Sequence, residues 1–454
     1  MIRNSLPDTI KNIPAVLRNI SAGKTVLIWA LAIIAGILIF FFVSTGHKGK
    51  QVTLVFASWW EDELNEAVLE KLTGEYMAEN PGITVKFEKM SWEEILELLE
   101  GKNSGETGKN AQKHNPPDIF SIDPYAINYL ENRSILAVPG ENKDPSANVV
   151  SIISFINPLY YNIDLLEQAG FDRPPKNQTE FLSYVQRLKE TGVNGTGLAL
   201  GDPRNVSRQI LSWIWTAAGS PPASSPPASS PSASSPPAGE TPVSSASGGL
   251  SQWSFTSKEV IDTLTFLNQL KQSLYANPFE LSEAELLDAF GRGSVGMMIG
   301  SIADVRELNT KKINFSITTI PSPVSYSKKP VFPLTFWYAG ISSKSEFPDE
   351  AKDFLSFLVK NSALIAEAAY AVPGNGTVNR ELQKNDPFYA KAFDMYEAGE
   401  MVRDVYNFQN WSRLNIIIHR EIELMFQGAK TPQQCAEAIQ HDWDRPGRIA
   451  SSVP

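Results

Sequence analysis

Residues 52–95 read VTLVFASWWEDELNEAVLEKLTGEYMAENPGITVKFEKMSWEEI, and strand and helix patterns alternate along them. Val52–Ala57 is a short apolar run that predicts a strand, and Ile83–Phe87 alternates as a second one. Between them, apolar residues at fourfold spacing predict a helix over about residues 62–79: Leu64, Val68, Leu72 and Tyr76. Strand–helix–strand alternation is typical of α/β proteins with mostly parallel sheets.

The next elements continue this alternation. SWEEILELLE (91–100) predicts a helix whose first turn carries a capping box between Ser91 and Glu94. PPDIFSID then predicts a third strand over Asp118–Ile122. In such sheets, ligands bind outside the carboxyl ends of the strands. Here the residues after the first and third strands are Ser58, Trp59, Trp60, Asp123, Pro124 and Tyr125.

The stretch GRGSVGMMIGS (291–301) contains the letters of a dinucleotide-binding fingerprint, G-x-G-x-x-G. That fingerprint requires a strand before the glycines and a helix after them. Here the order is reversed, because SEAELLDAF (282–290) predicts a capped helix and Val295–Ile299 predicts a buried strand. The glycines therefore indicate a tight turn rather than a phosphate-binding loop.

Composition excludes several classes of site. The chain has 454 residues, 42% of them hydrophobic, which is enough for two or three folding units. Cys435 is the single cysteine, so no internal disulfide or multi-cysteine metal site can form, and the four histidines show no metal-ligand spacing. Residues 1–50 carry +5 and the remainder −15 of the total −10, so we expect no nucleic acid partner. We also expect no metal or cofactor.

Near the N-terminus lies a candidate membrane span. Thr25–Val43 is nineteen residues without a charge, long enough to cross a hydrocarbon core. Four basic residues precede it, which predicts a cytoplasmic segment over 1–24 and an exported body. We expect a transmembrane anchor over 25–46 because a cleaved signal peptide has a shorter apolar core, although Ser44 and Gly46 would suit a cleavage site.

A Pro/Ser-rich insertion interrupts the body. Residues 220–249 begin with the repeated unit SPPAS and offer little to bury. Proline lacks a backbone donor, so this composition predicts a disordered surface loop. The alternative is a Pro-rich arm that binds a partner.

Together, these and later motifs resemble a known family. FASWWEDELNEAVLEKLTGEYMAENPGITVKFEKMSWEEI, PPDIF, the segment LYYNIDLLEQAGFDRPPKNQTEFLSYVQRLK and AFGRGSVGMMIGS are similar, in this order, to segments of family 1 extracellular solute-binding proteins. PDEAKDFLSFL and FQGAKTPQQCAEAI extend the resemblance to about residue 445. These are the maltose-binding-protein relatives that serve ABC importers.

The resemblance implies an α/β, two-lobed periplasmic-binding-protein fold with a hinge between the lobes, preceded by the one N-terminal transmembrane helix. Lobe one would comprise residues 51–157 and 340–383, and lobe two residues 158–339 and 384–454. A ligand that contacts both lobes would favour hinge closure. The implied function is capture of a sugar, oligosaccharide or polyol at the periplasmic or outer face and delivery to ABC permease subunits, with the lipid bilayer holding the anchor.

Aromatic rings beside carboxylates and amides suit the apolar faces and hydroxyls of sugars. The aromatic candidates are Trp59, Trp60, Trp213, Trp215, Trp337, Tyr338 and Trp411. The polar candidates are Glu61, Asp123 and Ser301, whereas Arg204, Arg208 or Arg413 would suit a phosphate-bearing ligand. Each aromatic residue could instead fill the core, and Glu61 could belong to a solvated acidic helix start.

Two other functions remain open. A carboxylate pair could form a glycosidase dyad, but the chain has no G-x-S-x-G or H-E-x-x-H motif, so we expect no enzyme. A sensor module coupled to a membrane receptor or kinase would share every motif with a transport protein.

Overall fold

The computed structural model describes residues 51–60, 64, 66–101, 115–122, 126–137, 149–218, 254–323, 331–373, 380–398, 400–402 and 411–444. The N-terminal segment over 1–24, the anchor over 25–46 and the insertion over 220–249 lie outside these ranges. Within the described ranges, no helix is long and apolar enough to span a membrane.

The chain divides into two compact units. The smaller unit comprises Met1–Val52 and Pro81–Thr84, and the larger unit comprises Thr53–Asn80 and Val85–Pro454. In the smaller unit, the Val52 N–H donates a hydrogen bond to the Gly82 carbonyl at 3.0 Å. The site described below lies within the larger unit.

A first sheet has seven strands in the order β10-β4-β9-β3-β1-β2, with β11 paired to β9. Their bounds are β1 Val52–Ser58, β2 Ile83–Lys89, β3 Ile119–Ile122, β4 Val149–Ile156, β9 Val331–Ile341, β10 Val372–Pro373 and β11 Glu400–Val402. A second sheet has four strands in the order β6-β7-β5-β8. Their bounds are β5 Leu159–Asn162, β6 Asn194–Thr196, β7 Val295–Ile299 and β8 Phe315–Thr318.

Antiparallel pairing is more common than the sequence predicts. The pairs β1–β3, β6–β7 and β9–β11 are parallel. By contrast, β3–β9, β4–β9, β4–β10, β5–β7 and β5–β8 are antiparallel. The expectation of mostly parallel sheets is therefore wrong. It came from the opening strand–helix–strand segment, whereas β9 inserts between β3 and β4 from much later in the chain.

Helices accompany both sheets. Their bounds are α1 Glu66–Glu79, α2 Trp92–Glu100, α3 Ile127–Asn132, α4 Ile163–Gln168, α5 Gln178–Glu190, α6 Ser212–Ala218, α7 Lys258–Leu270, α8 Glu283–Gly291, α9 Asp304–Thr310, α10 Pro348–Lys360, α11 Ser362–Ala369, α12 Arg380–Asn385, α13 Pro387–Ala398, α14 Trp411–Phe426 and α15 Pro432–Trp443. A π-helical turn, Ser207–Leu211, directly precedes α6, and 3-10 turns lie at Pro203–Asn205 and Lys271–Ser273.

Both predicted capping boxes are present. Ser91 accepts from the Glu94 N–H at 3.3 Å, and Ser282 accepts from the Glu285 N–H at 3.2 Å. In each box the glutamate accepts in return from the serine N–H. These reciprocal bonds satisfy two backbone donors that the first helical turn leaves without partners, which fixes where α2 and α8 begin.

The predicted glycine turn is also present. Gly293 has a φ of 73°, in the left-handed region that favours glycine. Its N–H donates to the Phe290 carbonyl at 2.9 Å, and the Ser294 N–H donates to the Ala289 carbonyl at 2.9 Å. These bonds end α8 and turn the chain into β7, whose bounds match the predicted strand.

The chain passes from the first sheet to the second at Asn157–Pro158, between β4 and β5, and β9 returns it to the first sheet. All of Val331–Ile341 belongs to the first sheet, so this strand spans the predicted lobe boundary at 339/340. Helix α6 and the π-helical turn, which precede the second sheet's β7, contact β9. The region around α6 and the end of β7 therefore places residues from both sheets in one neighbourhood.

Candidate functional site

A cavity of about 220 Å³ lies at the carboxyl end of β7, and we name it the β7 pocket. Its walls are mainly apolar, with four polar side chains among them. The lining residues are Arg208, Gln209, Glu283, Ala284, Leu286, Leu287, Met298, Ile299, Gly300 and Asp304. Four separate segments thus supply the pocket: the π-helical turn, α8, β7 and the start of α9.

The π-helical turn supplies Arg208 and Gln209. One extra residue in the turn widens the helix, and such turns occur often at functional sites. The Ser212 hydroxyl donates to the Arg208 carbonyl at 2.5 Å, which helps to satisfy the irregular backbone. Gln209 is fully buried, and its Nε2 donates to the Ile299 carbonyl at 3.3 Å. The amide is therefore held against the end of β7.

Helix α8 supplies the counter-charge. Its capping box at Ser282 places Glu283 at the first helical position, beside the π-helical turn. The Arg208 Nη1 donates to the Glu283 Oε2 at 2.5 Å, with both side chains mostly shielded from solvent. The guanidinium charge in the pocket is therefore already compensated by a carboxylate.

The Gly-Ser turn after β7 forms the floor of the pocket. The Ser301 N–H donates to the Asp304 Oδ2 at 2.8 Å, and the Tyr160 hydroxyl donates to the Ser301 carbonyl at 2.6 Å. A Cβ on Gly300 would lie 2.5 Å from the Asp304 Oδ2 and 3.2 Å from the Tyr160 ring. Only glycine lets the backbone pass this closely between the two side chains.

Burial controls the protonation of Asp304. Loss of hydration raises the pKa of its carboxyl to about 7, because the charged form is poorly solvated in the pocket wall. The Arg208 charge opposes this rise, and the Glu283 charge adds to it. Burial also raises the pKa of the neighbouring Tyr160 hydroxyl well above its ordinary value. Asp304 therefore changes charge near neutral pH.

Two acceptor oxygens of the pocket residues have no hydrogen-bond partner among the described residues, namely Gln209 Oε1 and Glu283 Oε1. A buried acceptor that loses its hydrogen bonds to water costs about 1–3 kcal/mol. Such atoms in a native cavity indicate a position for a water or a ligand donor.

The aromatic candidates of the first sheet lie on its two faces. Trp60 is fully buried and stacks on Trp337 with ring centroids 5.2 Å apart. Phe155 contacts the Trp337 ring at 5.2 Å, and Phe56 contacts the Trp60 ring at 5.7 Å. We name these four rings the tryptophan stack. In this arrangement neither tryptophan offers an open ring face.

Trp59 and Tyr338 have the opposite placement. Both are half-buried and pack against an apolar cluster that includes Ile95, Phe120 and Leu130. The Trp59 ring meets Trp92 edge-on at 5.9 Å. Of the predicted aromatic platforms in the described residues, these two therefore keep partial exposure.

The two tryptophans of α6 are core residues. Trp213 packs between Phe181 at 5.1 Å and Phe266 at 5.0 Å, and Trp215 is equally buried. Ser301 is buried next to Gly300 of the β7 pocket, and its N–H donates to Asp304, but its side chain does not line the pocket. Glu61, Asp123 and the Trp411 side chain lie outside the described residues.

Sequence patterns missed Gln209, Glu283 and Asp304. A π-helical turn has no sequence signature that would place Gln209, and the Glu283 side chain was assigned only to a helix start. Asp304 had a usable signal, since Ser301 and Asp304 are spaced like a capping pair. Of the three arginines considered for a phosphate, Arg208 lies in the pocket, whereas the exposed Arg204 pairs with Asp202. Arg413 donates to the Asp442 carbonyl at 3.3 Å.

Sequence comparisons identify relatives along the body. The profile of the family described as "Bacterial extracellular solute-binding protein" matches residues 57–364. A putative binding protein of Brucella abortus (strain 2308) is 26% identical over 191 residues, which cover 38% of this chain and 44% of that protein. This chain therefore matches less than half the length of that relative. UgpB of Escherichia coli (strain K12), an sn-glycerol-3-phosphate-binding periplasmic protein, is 23% identical over 86% of this chain and 92% of its own.

Solved structures share the fold at lower identity. The GacH receptor of Streptomyces glaucescens GLA.O, solved unliganded and with acarbose, has a TM-score of 0.60 at 15% identity, covering 87% of this chain and 97% of its own. The ABC substrate-binding protein Lmo0181 of Listeria monocytogenes was solved in complex with cycloalternan. It has a TM-score of 0.61 at 15% identity, and the match covers 86% of this chain and 98% of Lmo0181. The chain thus belongs to the bacterial extracellular solute-binding protein family and has its mixed α/β, two-lobed fold.

Proposed function

We propose that this protein captures a carbohydrate (a sugar, an oligosaccharide or a related polyol) by hinge closure and delivers it to the permease subunits of an ABC importer without changing it chemically. The observation that carries the proposal is the β7 pocket, a cavity in a chain of this family that is lined by residues with unpartnered buried acceptors. Acarbose and cycloalternan are the ligands of the two structural relatives.

The composition of the pocket suits a hydroxylated ring. Gln209, Glu283 and Asp304 supply oxygen acceptors, while Leu286 and Met298 supply apolar contact for C–H groups. Small-molecule sites combine such apolar walls with a few placed polar groups.

The size of the pocket supports a two-sided site. Whole small-molecule sites typically enclose roughly 300–1,000 Å³, and the β7 pocket has about 220 Å³. We infer that it holds part of the ligand and that the first lobe covers the rest. The proposed contacts on the first sheet are Trp59 and Tyr338, which keep partial exposure, and Glu61 and Asp123 are proposed from lobe one. Ser301 and Trp411 are proposed from lobe two. Four further tryptophans that the sequence suggested as contacts, Trp60, Trp213, Trp215 and Trp337, are buried, so we do not propose them as open platforms.

A binding screen tests this function. The full-length chain is titrated with neutral oligosaccharides and polyols while its melting temperature is followed, because a ligand that binds only the folded state raises the melting temperature. We expect at least one carbohydrate to raise it, to change tryptophan fluorescence and to reduce the radius of gyration in solution scattering. If no member of the panel binds, the substrate class is wrong; if the bound sugar is consumed, the protein is an enzyme.

We also propose that Thr25–Val43 remains as a membrane anchor. Its uncharged length and the basic residues before it support this proposal. The protein should then stay with membranes during carbonate extraction. A mature N-terminus near residue 47 would instead establish a cleaved signal peptide.

A further inference from the structure

We propose that the β7 pocket accepts an uncharged hydroxyl-bearing group, with Gln209 Oε1 as an acceptor for a ligand hydroxyl, and that the Arg208–Glu283 pair excludes phosphate esters. This inference rests on the proposed function and narrows it. The relatives of this chain include UgpB, an sn-glycerol-3-phosphate-binding protein, so exclusion of phosphate esters would separate this chain from that relative.

Charge balance argues against an anion. Arg208 is the only cationic residue that lines the pocket in the described part of the chain, and it is bound to Glu283 at 2.5 Å. Asp304 adds a second carboxyl to the same wall. A phosphate monoester carries about two negative charges near neutral pH. It would have to displace Glu283 from Arg208 and leave that carboxylate beside it.

Hydrogen-bond chemistry leads to the same conclusion. Gln209 is fully buried, and its Nε2 donates to the Ile299 carbonyl, which leaves Oε1 as the other end of the amide. The Ile299 carbonyl can only accept, so this contact fixes the amide orientation. Oε1 has no partner among the described residues, and neither has Glu283 Oε1. A sugar hydroxyl can donate to such oxygens, whereas the phosphate group of a monoester dianion has no proton to donate.

Calorimetric titration of the full-length chain tests the selection, with maltotriose and cycloalternan as neutral probes and sn-glycerol 3-phosphate and inorganic phosphate as anionic probes. We expect the wild-type protein to bind phosphate probes at least about 100-fold more weakly than its best neutral ligand, because like charges in a pocket repel strongly. Tighter binding of sn-glycerol 3-phosphate would overturn the inference and leave a solute-binding function intact.

Glu283→Gln tests the exclusion directly, since it removes the charge that compensates Arg208 and keeps the shape. We expect affinity for sn-glycerol 3-phosphate to rise by about 10-fold, the range of a hydrogen bond to a charged group. The exposed Glu280→Gln, the same change shortly before α8, should leave it unchanged. If Glu283→Gln folds, as its melting curve shows, and gains no phosphate affinity, the Arg208–Glu283 pair does not control selection.

Gln209→Leu tests the acceptor and keeps the experiment informative if Glu283→Gln unfolds. We expect affinity for the best neutral ligand to fall about 10-fold or more, because a buried donor of the ligand loses its partner. Unchanged affinity in a folded variant would overturn the role of Gln209. A gain of phosphate binding by Glu283→Gln alone, with no neutral probe bound by any variant, would support the exclusion while the carbohydrate proposal fails.

Discussion

The tryptophan stack of the first sheet and the β7 pocket beside the second sheet use side chains in opposite ways. In the stack, Trp60 and Trp337 lie ring on ring, with Phe155 and Phe56 closing the sides. In the pocket, Gln209 and Glu283 keep oxygens without a partner among the described residues. The stack uses its aromatic area for packing and leaves one donor, Trp60 Nε1, without a partner among the described residues, whereas the pocket leaves two acceptor oxygens in this state.

This difference shows which residue types mark a ligand site in this protein. An aromatic ring at a strand end is ambiguous, because burial of its area stabilises the core whether or not a ligand is present. A buried polar atom without a partner costs free energy until something binds to it. The β7 pocket is therefore a stronger indicator of function than the tryptophan stack.

The largest effect is expected in the stack. Trp60→Ala should lower the free energy of unfolding by about 3–5 kcal/mol, because a fully buried indole is replaced by a cavity. Urea unfolding of the variant measures the loss. Trp59→Ala is the matched control, since Trp59 is the neighbouring residue but only half-buried, and it should lose clearly less. Equal losses would show that the two tryptophans do not differ in packing.

Asp304 should make the stability depend on pH. Its pKa is about 7 in the folded protein and about 3.9 in an unfolded chain. The folded state therefore holds this proton more tightly. The resulting stabilisation is fully present below about pH 4 and is lost as pH rises towards 7, with a slope of at most about 1.4 kcal/mol per pH unit.

Asp304→Asn removes this titration and keeps the shape of the side chain. The difference in the free energy of unfolding, wild type minus variant, should decrease as the pH rises from 4.5 to 7.5. Urea titrations across this range measure the difference. The subtraction cancels the contributions of groups whose pKa is shifted in the opposite direction. Glu180 is one such group, because its hydrogen bond from Arg173 lowers its pKa to about 2. A difference that is independent of pH would mean that Asp304 stays charged in the folded state.

The backbone at the pocket floor should tolerate no added methyl group. In Gly300→Ala, the Cβ would lie 2.5 Å from Asp304 Oδ2 and 3.2 Å from the Tyr160 ring. Since the hydrogen bond from Ser301 N–H holds Asp304 in place, we expect a loss of about 1–3 kcal/mol in the free energy of unfolding, as for other overpacked sites. Gly170→Ala separates backbone strain from steric contact. Its Cβ would meet no atom within 4 Å, but its φ of 88° lies in the left-handed region that favours glycine. If Gly300→Ala leaves the free energy of unfolding unchanged, the backbone at the pocket floor can move to accept the methyl group.

Local patterns predicted much of the fold. The strand Val295–Ile299, the capped helix starts at Ser91 and Ser282 and the glycine turn at Gly293 all follow from neighbouring residues, so a short window of sequence contains their cause. The insertion of β9 between β3 and β4 could not be predicted in the same way. It depends on pairing between residues that are far apart in the sequence, such as Ile153 with Trp337, 184 positions later.

The site was less predictable than the fold. Ser301 and Arg208 were named from the sequence, but the π-helical turn that brings Gln209 to the end of β7 has no pattern of its own. Nor can a sequence show that Glu283 turns towards Arg208, 75 positions earlier. The tryptophans stood out in the sequence, yet whether a ring faces a ligand or the core depends on which residues pack against it in the folded chain.

The smallest expected effect distinguishes the contribution of a helix cap to stability from its contribution to ligand binding in the β7 pocket. Ser282→Ala and Ser91→Ala each remove the serine side chain from a capping box, so each should lower the free energy of unfolding by about 1 kcal/mol. Only Ser282 precedes a pocket residue, because Glu283 is the first residue of α8 and binds Arg208. Ser282→Ala should therefore also weaken binding of the best neutral ligand, by a few tenths of a kcal/mol, while Ser91→Ala leaves it unchanged. Calorimetric titrations of both variants, alongside their urea unfolding curves, measure the two effects separately. Equal binding by both variants would show that the orientation of Glu283 does not depend on the start of α8.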